Sequence, residues 1–269
     1  MLTLSPEQIA AAAQDLYQAE LAVRQIDALT LSYPQMTMED AYAVQAAWMQ
    51  KKYADGQQLM GYKIGLTSRA MQRVMKINTP DFGVLTDAMR IDDGSEIEAA
   101  RFNDPRIEVE LAFVLKAPLR GAQLTVMDVL NATDYVIPAL ELIDARSHRI
   151  HPKTGYVRTV MDTISDNAAN AGIILGGRPV RPDAVDLRWC GAILYRNAVI
   201  EETGLAAGVL NHPANGICWI AKRFAAHGIG LEPGQILLAG SFTAPVAVKA
   251  GDTIHADYGA LGGISCRFV

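Results

Sequence analysis

Two glutamates one residue apart, Glu108 and Glu110, lie in the run Pro105-Arg106-Ile107-Glu108-Val109-Glu110-Leu111-Ala112-Phe113-Val114-Leu115. Strict alternation puts Ile107, Val109, Leu111, Phe113 and Leu115 on one face of a strand, and Glu108, Glu110, Ala112 and Val114 on the other. Residues two apart on a strand are separated by about 6.5 Å, so both carboxylates can converge on one point between them. At an effective dielectric of about 20 their repulsion is on the order of 2 kcal/mol, a cost that a cation removes. Two arrangements satisfy this pattern: a solvated face whose charges pair with lysine or arginine, and a cation site. Ala112 and Val114 continue the same face, which is unlike an open polar surface. Glu141 lies inside the nearly continuous apolar run YVIPALELIDA, where an ionised carboxylate is costly unless it is paired or metal-bound. Three glutamates, with no cysteine or histidine pair beside them, suit a hard cation such as Mg²⁺, with Mn²⁺ as the alternative.

Other side chains admit two readings each. Lys63, within GYKIGLTS, is either a surface lysine or a group facing a ligand that Gly61 and Gly65 allow to approach closely. Asp81, in TPDFG, is a turn former or an acid of the same site. The stretch Ser165-Asp166-Asn167-Ala168-Ala169-Asn170-Ala171-Gly172 is a loop, or a set of hydroxyl and amide donors for a carboxylate. Gly240-Ser241-Phe242-Thr243 poses the same choice. His148 and His151, on LIDARSHRIHPKTG, read as a solvated loop because the glutamates already fill the cation site. Cys190, Cys218 and Cys266 stand far apart among apolar neighbours and read as buried, reduced thiols.

The elements that must position these groups are legible from caps and periodicity. Ser5-Pro6-Glu7-Gln8 is a capping box that opens a helix with Ile9, Ala12, Ala13, Leu16 and Ala19 on one face. Thr37-Met38-Glu39-Asp40 opens a second helix, which Gly56 ends. From Leu59 onward, short strand-like runs (LMGYKIGL, IEVELAFVL, YVIPALELI, AGIILGG, QILLAG, DTIHADY, ISCRFV) are separated by Gly, Pro, Asn and Asp. Tyr195-Arg196-Asn197-Ala198 predicts a hairpin, Pro213 to His227 a helix, and TVMDVLNAT a shorter one. Strands outnumber helices without regular βαβ alternation, which predicts an α+β fold with a mixed or rolled sheet. The organisation expected is a small N-terminal helical part over residues 1–58 and a β-rich catalytic domain over 59–269. The 269 residues are half hydrophobic and carry a net charge of −5, so no global basic field exists to hold nucleic acid. No apolar run is long enough to span a bilayer, and MLTLSPEQIA lacks the pattern of a secretory signal, so a cytoplasmic location is expected.

PRIEVELAFVL, PALELIDAR, GYKIGLTS, TISDNAANAG and the ending DTIHADYGALGGISCRFV resemble stretches of the hydratase/decarboxylase family of meta-cleavage catabolism, over almost the whole chain. The resemblance implies a fumarylacetoacetate-hydrolase-like fold, Mg²⁺ on Glu108, Glu110 and Glu141, and a ring-like homo-oligomer, a pentamer or a pair of pentamers. It implies metal-dependent addition of water to an unsaturated 2-oxo acid, which SDNAANAG and GSFT narrow to a seven-carbon diacid. Decarboxylation of a 2-oxo-enedioate, hydration of a 2-hydroxypentadienoate, and a non-catalytic subunit that binds a 2-oxo acid are the alternatives. Under the hydratase reading Lys63 carries protons and Asp81 orients it or activates water. Ser165, Asn167 and Thr243 are then candidates for the substrate's first carboxylate, and Arg146, Arg158 and His148 for the distal one.

Overall fold

The computed structural model of the chain describes residues 2–74 and 76–269. Its helices are α1 (Pro6–Leu21), α2 (Leu29–Ser32), α3 (Met38–Ala54), α4 (Arg69–Val74), α5 (Val126–Ala132), α6 (Val160–Ser165) and α7 (Ala214–Ala225). Ser5, Thr37 and Thr125 cap α1, α3 and α5, each in a reciprocal pair of bonds with the residue three positions on. These boxes satisfy backbone donors that a helix start otherwise leaves orphaned. Gly56, with φ of 93°, supplies the left-handed turn just beyond α3.

The strands are β1 (Leu59–Gly65), β2 (Asp81–Thr86), β3 (Arg90–Asp92), β4 (Glu96–Ile97), β5 (Arg106–Leu115), β6 (Thr133–Ile143) and β7 (Asn170–Leu175). They continue with β8 (Gly191–Arg196), β9 (Val199–Leu205), β10 (Ile236–Leu238), β11 (Val246–Ala247), β12 (Thr253–Asp257) and β13 (Gly263–Phe268). Two mixed sheets result. The larger runs β2-β1-β10-β5-β6-β7-β3 with β11 also on β5, and the smaller runs β4-β13-β12-β8-β9. The β1–β10, β3–β7 and β4–β13 pairs are parallel, and the β5–β6 pair at the centre is antiparallel. The predicted hairpin is β8–β9, with Asn197 and Ala198 both at positive φ, as a two-residue hairpin turn of matching twist requires.

The two faces of β5 meet different surroundings. Ile107, Val109, Leu111, Phe113 and Leu115 enter the main core beside Ile254, Ala256, Ile264 and Phe268 of the smaller sheet. On the opposite face Ala112 clusters with Leu85, Ala139, Ile173, Ile236 and Leu238, all from other strands of its own sheet. A sheet whose own strands share one inner cluster is curled on itself, and β2 at one end of the order contacts β7 near the other. The glutamates of β5 therefore point into the mouth of a roll. Leu16, Trp48 and Met49 of α1 and α3 pack against Val84 of β2 and Val160 and Ile164 of α6, so the N-terminal helices brace one wall of that mouth. Among the described residues no helix is long and apolar enough to cross a membrane.

Candidate active site

On the β5–β6 pair Glu108 stands opposite Glu141, and Glu110 opposite Ala139. Directly opposed like charges destabilise a ladder, so two facing carboxylates need a reason to persist. One oxygen from each of Glu108, Glu110 and Glu141 lies within 4.8 Å of the other two. Glu110 and Glu141 are buried, and Glu108 partly so. The Tyr258 hydroxyl reaches the carbonyls of Glu110 and Ala139 at 3.1 and 2.6 Å, tying the two strands together at that rung. Gly240 N–H donates to Glu110 Oε2 at 2.8 Å. A Cβ at Gly240 would collide with Thr67, and the residue sits at φ 122°, so only glycine brings this donor so near.

Glu141 is held one-sidedly. Its Oε1 takes the Asn170 amide at 2.8 Å and the Lys63 ammonium at 3.2 Å, while Oε2 is buried without a partner among the described residues. Lys63 extends from β1 and Asp81 from β2, where Asp81 pairs with Gly65. A Cβ at Gly65 would strike the Asp81 carboxylate, whose Oδ1 is likewise buried and has no partner among the described residues. Four carboxylates thus surround one ammonium, and their proton affinities record the imbalance. Burial, reinforced by Glu141 and opposed by Lys63 and Arg149, pushes the Glu108 carboxyl up to about 7. Burial raises Asp81 to about 6, with Lys63 opposing and Glu141 adding. Glu110 is held well above the usual range by burial and then by Glu141 and Glu108. Burial works against the Lys63 charge, but attraction from Glu141, Asp81, Glu108 and Glu110 wins and raises its pKa. A deficit of positive charge, an orphaned carboxylate oxygen and an all-oxygen donor set fit a hard divalent cation on Glu108, Glu110 and Glu141.

A cavity of about 360 Å³ opens over this cluster, within the size range of small-molecule sites. Lys63, Asp81, Glu108, Glu110, Thr243 and Arg158 reach its wall, and Glu141 stands behind Lys63. Thr243 Oγ1 also accepts from Val109 N–H at 3.3 Å. Arg146, Ser165 and Asn167 are not on the wall, and the reason in each case is a competing partner. Ser165 donates to Met161 O in the last turn of α6. The Asn167 amide is spent on both backbone groups of Val84, at 2.7 and 2.9 Å, which pins β2. Arg146 is buried over Trp48, with Nε 2.5 Å from Asp166 Oδ1 and Nη2 on the Asp166 and Asn170 carbonyls. His148 packs edge-on against His151, away from the cavity.

Sequence reasoning missed Arg106 and Arg149, which line the cavity. The available signal was Asp104, two residues before Arg106, which serves both guanidiniums. It also missed the backbone at Ala168 and Ala169 on the cavity wall, where Asn167, Ala168 and Ala169 run at φ 52°, 50° and 65°. Consecutive left-handed residues other than glycine cost roughly 1–2 kcal/mol each. The Asn167 clamp on β2 and a bond from Asp144 N–H to Ala169 O hold them there.

With this geometry in hand the relatives are informative. The chain is 63% identical over 257 residues to 2-oxo-hept-4-ene-1,7-dioate hydratase of Escherichia coli, covering 96% of each. It is 37% identical to 4-oxalocrotonate decarboxylase of Pseudomonas putida, covering 99% of each. The solved structure of 4-oxalocrotonate decarboxylase from Pseudomonas putida G7, complexed with magnesium and adipate, matches it over the whole of both chains with a TM-score of 0.95 at 36% identity. Residues 44–269 match the C-terminal region of fumarylacetoacetate (FAA) hydrolase, and the chain belongs to that family.

Proposed function

We propose that the chain is a divalent-metal-dependent hydro-lyase that adds water to 2-oxohept-4-ene-1,7-dioate, a step in the catabolism of aromatic compounds. The observation that carries this reading is the buried, charge-unbalanced set of Glu108, Glu110 and Glu141 with its orphaned oxygen, in a chain so similar to a hydratase of that diacid. A bound Mg²⁺, with Mn²⁺ as a substitute, supplies Lewis acidity toward the 1-carboxylate and 2-oxo group of such a substrate.

The remaining chemistry falls to the chain's own groups. A proton must leave C3 and another enter C5, moving the double bond into conjugation with the ketone. Water oxygen then adds at C4 and a proton returns to C3. Lys63, on the cavity wall beside Glu141, is the proton carrier. Neutralising the glutamates weakens the attraction that raises its pKa and leaves burial, which lowers it toward the working range. Asp81, raised to about 6, is suited to take a proton from water near neutral pH. Thr243 offers its hydroxyl to the substrate's first carboxylate, while the Ser241 hydroxyl donates to Thr243 O and fixes that turn. Ser165, Asn167 and Arg146 act one step back, as the framework that fixes α6, β2 and the 166–170 segment.

Decarboxylation is the second reading, favoured by the near-complete superposition on a decarboxylase. Incubation with the seven-carbon diacid and Mg²⁺, followed by NMR and CO₂ detection, separates the two. Formation of 4-hydroxy-2-oxoheptane-1,7-dioate without CO₂ is expected, and CO₂ without the hydrated product would contradict the hydratase reading.

The same reading places the protein in the cytoplasm as a homo-oligomer. Three free cysteines suit a reducing compartment. Exposed Val199, Ile200 and Leu205 on the edge strand β9, with Trp189 close in sequence, form an apolar margin suited to another copy.

A further inference from the structure

The cavity has a second charged end that the cation cluster does not use. Arg106, Arg149 and Arg158 reach its wall, with Ile143 and Val157 also lining it. These guanidiniums are only partly neutralised. Arg149 donates Nε to Asp104 Oδ2 at 2.6 Å and Nη2 to Asp104 O at 3.3 Å, and Arg106 shares the same carboxylate at 3.5 Å. Arg158 donates Nη1 to Asp166 Oδ2 at 3.1 Å, but Asp166 is already committed to Arg146. Among the described residues Arg149 donates through Nε and Nη2, and Arg158 through Nη1 to Asp166, Ser147 O and Ser147 Oγ, which leaves Nη1 of Arg149 and Nη2 of Arg158 for a ligand. Burial lowers Arg158 to about 10, with Asp166 opposing and Arg149 and Arg146 adding. Glu108, Arg149 and Arg158 line the same cavity of about 360 Å³, so one small molecule can touch both ends.

We infer that Arg149 and Arg158 bind the distal carboxylate of the substrate and thereby select a 2-oxo dicarboxylate over the monocarboxylate of the same chain length. Guanidinium forks match carboxylate geometry, and a bond between two charged groups is stronger than a neutral one. Asp104 and Asp166 are positioning residues: each holds one side of its arginine and leaves another side toward the cavity. Arg106, on the shared Asp104, adds charge to the same end. This assignment rests on the reading of the glutamate cluster as the seat of the 2-oxo acid end.

The test uses saturated analogues that carry no double bond to hydrate. Binding of 2-oxoheptanedioate and 2-oxoheptanoate to the Mg²⁺-loaded full chain is measured by calorimetry. The diacid is expected to bind about 100-fold more tightly, as one well-made charged contact allows. Arg149→Gln should remove at least tenfold of that preference while the monoacid changes less than threefold, and Arg149→Lys should fall between. Arg158→Gln leaves Asp166 with Arg146 alone, so its fold is checked by circular dichroism. Arg149→Gln, whose partner Asp104 is partly exposed, decides the matter without it. Equal affinity for both acids, no measurable diacid binding, or an Arg149→Gln variant that weakens both acids alike overturns the assignment. If the preference and its Arg149 dependence persist while no hydrated product forms from the unsaturated diacid, the hydratase reading falls and this one stands. Hydration without any diacid preference gives the reverse.

Discussion

Asp166, just before β7, and Glu141, on β6, are both fully buried acids with Asn170 between their clusters, yet their partners are of opposite kinds. Asp166 receives Arg146 through Nε and backbone N–H and Arg158 through Nη1, so each of its oxygens has a donor. Arg146 is further fixed by the Trp48 ring and the Asn170 carbonyl. Glu141 stands among Glu108, Glu110 and Asp81 with Lys63 as the ammonium within reach, and one of its oxygens has no donor among the described residues. Burying charge is tolerable when the chain brings the counter-charge and costly when it does not. The first cluster is therefore closed and serves the framework, whereas the second is built to be completed by something from outside.

Breaking the open cluster should cost function and not fold. Glu108→Gln or Glu141→Gln is expected to lower Mg²⁺-dependent turnover by at least about 10³-fold, the several kcal/mol that Lewis-acid assistance supplies. Metal-free unfolding of Glu108→Gln in urea should be unchanged or slightly harder, because a surplus negative charge is gone and the Lys63–Glu141 pair is kept. A variant with wild-type turnover would remove that residue from the metal site. Breaking the closed cluster should cost the fold first. Asp166→Asn removes the counter-charge of two buried arginines and is expected to destabilise the chain by about 3–5 kcal/mol, read from the urea midpoint. Wild-type stability in that variant would erase the distinction between the two clusters.

Asn170 sits where the clusters meet, with its side chain on Glu141 and its carbonyl on Arg146. Asn170→Ala frees Glu141 Oε1 from one of its two donors and should weaken Mn²⁺ binding about 10- to 100-fold, as loss of a group that orients a metal ligand does. Unaltered affinity by calorimetry would deny it that orienting role. The last effect is a slope with pH. Glu108 and Asp81 have folded-state pKa values raised to about 7 and about 6, so the folded chain holds protons that the unfolded chain has released. Their contribution is full below the ordinary carboxylate range and is lost as pH rises through about 6 to 7, at up to about 1.4 kcal/mol per pH unit for each proton. Asp40, with its pKa lowered by bonds from Thr37, Leu4 and Thr3 against burial, works in the other direction and favours the fold above the acid range. Metal-free stability should therefore decline between pH 5 and 7.5, and Mg²⁺ should cancel the decline. A metal-free stability that rises over that interval would contradict the pKa shifts.

The sequence made the open cluster legible because its signals are local. The alternation of β5 and the apolar setting of Glu141 could be read directly, and the three capping boxes and the Asn197-Ala198 turn are equally local. What depends on distant chain was not legible. β2 reads as a turn in TPDFG because its stability comes from pairing with β1 and from the Asn167 clamp, neither visible within six residues. The helix α6 is too short to announce itself by periodicity. Nor could sequence say which of Arg146, Arg149 and Arg158 face the cavity. That choice is made by Asp166 and Asp104, which draw Arg146 inward and leave Arg149 and Arg158 on the wall.

The central claim is that Glu108, Glu110 and Glu141 hold one divalent cation on which water addition depends. Anomalous scattering from crystals soaked in Mn²⁺ tests it most directly. The account predicts a single strong peak ringed by oxygens of these three glutamates, lost in Glu141→Gln crystals soaked alike. A saturating soak that leaves this position empty, or that places the ion elsewhere, would contradict it.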